Sequence, residues 1–102
     1  MILRSLFLLA VSFAPFAHAE EEMDRLKQGM PKPITRFIDR AARCNHWLGE
    51  APYDAERTRE INKALSELGC SRLDADQEQL LKRYKGNAAA ERAIREGRQL
   101  SL

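Results

Sequence analysis

Apolar residues recur along this chain with the period of a helix, and nowhere with the alternation of a strand. Ile34, Phe37, Ile38, Ala41, Cys44 and Leu48 fall on one face, while Arg36, Asp39, Arg40 and Arg43 take the other, with Asp39 four residues before Arg43 in the favourable order for an ion pair. Pro33 suits a first helical position, where its missing donor costs nothing. Gly49 and then Pro52 stop the run. A second helix opens behind Asp54, a good N-cap, and turns Ile61, Ala64, Leu65 and Leu68 inward before Gly69. Leu73 leads into a third, with Asp74 as cap, Gln77 three residues on, and Leu80, Leu81 and Tyr84 as its inner face. Asn87 caps a fourth through Ala90, Ala93 and Ile94.

The ends of the chain read differently. Met1 and Arg4 precede an apolar run through Phe13, Pro15 breaks it, and Ala17-His18-Ala19 is a small-x-small cleavage site. These are the parts of a secretory signal peptide over residues 1–19, so the exported chain is expected to begin at Glu20. The run is too short to span a bilayer, and no cysteine follows the cleavage site to carry a lipid. No stable membrane anchor is therefore expected after cleavage. Residues 20–33 are acidic, then rich in glycine and proline, and read as a flexible N-terminal arm. The helical domain spans 34–96, and residues 97–102 read as a frayed tail.

Composition narrows the partners. The 102 residues carry 17 Lys and Arg against 15 Asp and Glu, finely interspersed. That balance gives no argument for nucleic acid or an anionic membrane. A periplasmic or secreted location is oxidising, so the two cysteines, Cys44 and Cys70, read as a disulfide. In a plain antiparallel hairpin of the first two helices, Cys44 would lie roughly 6 Å from the hinge and Cys70 roughly 20 Å. A disulfide needs its Cα atoms within about 7 Å. Either the loop leads away so that the second helix returns, or the first helix ends early; pairing between chains is the remaining option. The fold expected is all-α, a small disulfide-stapled bundle of three to four short, steeply crossing helices.

Chemistry concentrates at Cys44-Asn45-His46-Trp47-Leu48-Gly49-Glu50. Two sulfurs and His46 offer three metal ligands, but oxidation removes the sulfurs and no fourth ligand of that type exists beyond the leader. His46 and Glu50 have the spacing of a helix-borne acid–base pair, although Gly49 intervenes and nothing completes a triad. Asp74, Asp76 and Glu78 begin like a calcium loop, yet Gln79 stands where glycine is required and Lys85 where an acid is. No catalytic residue, metal site or cofactor is assigned. Trp47 and Tyr53, with Pro52, bring aromatic surface close to the bridge, and such residues anchor interfaces; the plainer account has them covering the disulfide.

The stretch from Cys44 to Glu50, a later Tyr53, and Cys70 after a charged helix together resemble a pattern in uncharacterised small exported proteins of Gram-negative bacteria. The motif is Cys-x-His-aromatic-x-Gly-Glu with a second downstream cysteine, and the resemblance covers roughly Arg40 to Tyr84. It implies export and the disulfide and carries no activity. The expectation is a non-enzymatic exported protein that binds an envelope or extracellular protein, with Trp47, Tyr53, His46 and Glu50 as binding residues. The alternatives are a ligand or metal site on His46 and Glu50, or a small hydrolase or its inhibitor.

Overall fold

The computed structural model describes residues 15–102, so most of the expected signal peptide lies outside the described residues. Those residues form five α-helices and no strand: α1 (Pro15–Lys27), α2 (Lys32–Leu48), α3 (Ala55–Leu68), α4 (Leu73–Arg83) and α5 (Ala88–Gly97). A 3-10 turn, Cys70–Arg72, joins α3 to α4.

Helix α2 is the hub and packs against every other helix. Its apolar stripe is the reason: Ile34, Phe37, Ile38, Ala41, Ala42 and Cys44 are all buried. Leu73 of α4 and Ala90, Ala93 and Ile94 of α5 close the core from the other side. The caps read from sequence are present at two helices. Asp54 Oδ1 accepts from the Arg57 amide at 2.7 Å, and Asn87 Oδ1 accepts from the Ala90 amide at 3.0 Å. Gly69 ends α3 at φ +64°, a conformation that favours glycine.

Cys44 and Cys70 are joined within the chain, with Cα atoms 5.6 Å apart. Helix α2 does not end early; it runs to Leu48. Leu48 lines one groove with Pro52 and Ile61 and another with Ser66, Cys70 and Ser71, so the length of α3 passes beside the end of α2. The connecting loop leads away and α3 returns. Packing of α3 is thin, since Ile61 is its one buried side chain and stands apart from the main core. Covalent attachment at Cys70 therefore matters more to α3 than to any other helix.

Four expectations are corrected. Residues 20–33, expected as a flexible arm, carry most of α1, with Met23 and Leu26 in the core. Lys27 Nζ on α1 lies 2.9 Å from Asp39 Oδ1, so Asp39 pairs with another helix rather than with Arg43 of its own. Asp74 does not cap α4; Arg72 is the N-cap residue, and Asp74 instead accepts from Arg98 Nη2 at 3.3 Å. Leu48, expected on the buried stripe, is 61% exposed.

A further correction concerns the tail, residues 97–102, expected to fray. Asn45 Nδ2 donates to the Arg98 carbonyl at 2.9 Å and to the Leu100 carbonyl at 2.7 Å. Arg98 Nη1 donates back to Asn45 Oδ1 at 3.3 Å, and the Leu102 amide reaches the Ala42 carbonyl at 3.4 Å. Leu100 packs against the core. Gly97 is buried against Ile38 and belongs to the α2–α5 contact. A polar residue on an apolar stripe needs partners, and the tail supplies them. Asn45→Ala should cost about 1–2 kcal/mol and strip hydrogen-exchange protection from the Leu102 amide. Unchanged protection in that variant would show that Asn45 does not hold the tail.

Candidate functional site

The four residues singled out from sequence lie at the corner where α2 passes into α3. The last turn of α2 supplies His46 and Trp47, the loop supplies Glu50 and Tyr53, and the first turn of α3 adds Arg57. His46 Nε2 lies 3.2 Å from Glu50 Oε1, and Arg57 Nη2 lies 3.1 Å from Glu50 Oε2. Arg57 Nη1 reaches Glu60 Oε2 at 2.8 Å. The same guanidinium sits 5.3 Å from the centre of the Trp47 ring, which His46 meets edge-on at 5.7 Å. One arginine thus binds two carboxylates and an aromatic face. Its pKa is raised above the ordinary arginine value by its hydrogen bonds to Glu60 and then Glu50, against partial loss of hydration. Arg57 is a fixed cation that ties loop to helix.

The cluster engages its own groups. Both Glu50 oxygens are taken, and the second imidazole nitrogen, Nδ1, lies 3.2 Å from the Leu102 main-chain oxygen. Cys44 and Cys70 are consumed by the disulfide, so the three-ligand set offered by the sequence is not assembled. Among the described residues, no group of three or more His, Cys, Asp and Glu side chains converges as metal ligands would. The arrangement acts as a brace for the corner.

What the brace presents is apolar. Tyr53 is 77% exposed and Leu48 is 61% exposed, and both stand on this corner. Trp47, Leu48, Pro52 and Leu65 line a shallow groove, and a second one, sharing Leu48 and Leu65, reaches Cys70 and Ser71. Tyr53 does not line that groove and stands beside it. Sequence reasoning missed Leu48 and Arg57. Leu48 carried a signal as the last apolar residue before Gly49, where the helix can no longer bury it. Arg57 carried only its place three residues past Asp54. No protein-family model matches the chain, and no curated protein or solved structure matches it either.

Proposed function

We infer that this chain is a small exported binding module whose contact surface is the α2–α3 corner and whose partner is an envelope or extracellular protein. The observation that carries the reading is the pairing of two exposed large apolar side chains, Leu48 and Tyr53, on a corner that the disulfide and the Arg57 network hold rigid. Rigid, pre-paid surfaces bind with less ordering cost. Exposed aromatic and aliphatic groups beside a groove are what an interface core uses. The disulfide is compatible with an oxidising destination, and no described helix is long and apolar enough to cross a membrane.

Tyr53→Ala tests the surface cleanly, because an exposed side chain should cost under about 0.5 kcal/mol of stability. Its capture of a partner from envelope and extracellular fractions should weaken by about 2 kcal/mol, roughly thirtyfold. Leu48→Ala should behave alike, and His46→Ala should retain capture. A pull-down that recovers the same proteins with the Leu48 and Tyr53 variants as with the wild type overturns the reading. Export has its own test: mass spectrometry of the extracytoplasmic product should find Glu20 as its first residue, and an uncleaved, membrane-held product would contradict it.

A further inference from the structure

A second concave site lies away from this corner, between α2 and α4. It measures ≈ 290 Å³, at the small end of ligand sites. Phe37 and Leu80 lie at its apolar base with Pro33 beside them, and Arg36, Arg40 and Arg83 stand around it. Three guanidiniums about one cleft repel each other unless something compensates them. Arg40 is compensated, since its Nη2 donates to Asp76 Oδ2. Among the described residues no carboxylate lies within ion-pair distance of Arg36 or Arg83. Arg83 is positioned instead by the Tyr84 ring, 5.5 Å from its guanidinium carbon. The cleft therefore joins two uncompensated cations to an apolar base.

We propose that this cleft binds a small amphipathic carboxylate, an acid whose head lies between Arg36 and Arg83 and whose hydrocarbon body rests on Leu80 and Phe37. A guanidinium fork matches a carboxylate in two parallel hydrogen bonds. A bare anion would leave the apolar base uncovered, and a neutral amphiphile would leave the cations unmet. Asp76 on the same rim is already paired with Arg40 and does not oppose the head; the apolar base is what selects an organic acid over inorganic phosphate, which has no hydrocarbon to cover it. The site is independent of the α2–α3 corner and stands whether or not that corner binds a protein.

Octanoate is the probe, followed by amide chemical shifts on the full exported chain. Saturable shifts are expected at Arg36, Leu80 and Arg83, with octanol, acetate and inorganic phosphate each at least about tenfold weaker. Arg36→Gln and Arg83→Gln should each weaken octanoate by about tenfold or more at an unchanged melting temperature, because both side chains are exposed. Arg59→Gln, on α3 and outside the cleft, should bind as the wild type does. Absence of saturable shifts overturns the proposal, as does octanol binding as well as octanoate, phosphate binding as well as octanoate, or full affinity in both glutamine variants.

Discussion

Cys70→Ser should lower stability by about 3–3.5 kcal/mol, the loop-closure value for a bridge between residues 26 apart. For a domain of this size that is a fall in melting temperature of more than about 12 °C. Position 70 is the side to change. Cys70 is half-buried, whereas Cys44 is fully buried and a serine there would add an unsatisfied hydroxyl to the loss. The damage should also be local before it is global. Helix α3 buries only Ile61, so its amides should lose exchange protection at lower denaturant than those of α2 and α5. If α3 keeps the protection of α2 in the serine variant, its packing is stronger than its burial indicates and the bridge is not what retains it.

Gly97→Val should cost about 2–3 kcal/mol by overpacking, equal to roughly 10 °C or more. Gly97 has an ordinary helical backbone, so the cost is not conformational. A Cβ there would stand 2.5 Å from Ile38 Cγ1 and 3.2 Å from its Cδ1. Ile38 is fully buried in the hub helix and has nowhere to go. Gly97→Ala should be milder, because the same clash is offset by about 1 kcal/mol of helix propensity. Truncating Ile38 to alanine alone should cost about 2–5 kcal/mol. Combined with Gly97→Val it should cost less than the two singles together by about 1 kcal/mol or more, since each substitution relieves the other. Strict additivity in denaturant melts would mean that α5 does not approach α2 as closely as Gly97 allows.

The α2 stripe was legible because six apolar residues share one face, and the caps at Asp54 and Asn87 because short polar side chains compete well for orphan amides. Helix α1 was not legible. Met23 and Leu26 are one helical step apart, but two apolar residues among acids do not define a face; burial against α2 and α5 decides them. Asp74 illustrates a second limit, since a capping side chain can be drawn off by a distant arginine that sequence does not place. At the candidate site the spacing of His46 and Glu50 is visible in the sequence, where Gly49 reads as a break between them. Gly49 in fact stays in the right-handed region at φ −85° and ψ −9°, which carries the helical register far enough for the pair to meet. Exposure at Leu48 goes with its place at the end of α2 just before Gly49, whereas nothing local in the sequence marks Tyr53 as exposed.

The tail clasp bears on how fast the chain folds. Asn45 meets Arg98 and Leu100 across 53 and 55 residues of sequence, so docking the tail closes a loop about half the length of the chain. Contacts of that span form late, because their entropy must be lost before they return anything. Once Cys44 and Cys70 are linked, the route from Asn45 to Arg98 through the bridge is roughly half as long, which lowers the closure cost by about 0.6 kcal/mol. Tail docking should then run roughly threefold faster in the oxidised chain than in the reduced one. The bridge thus acts twice, holding α3 in place and shortening the path by which the C-terminal segment closes onto α2.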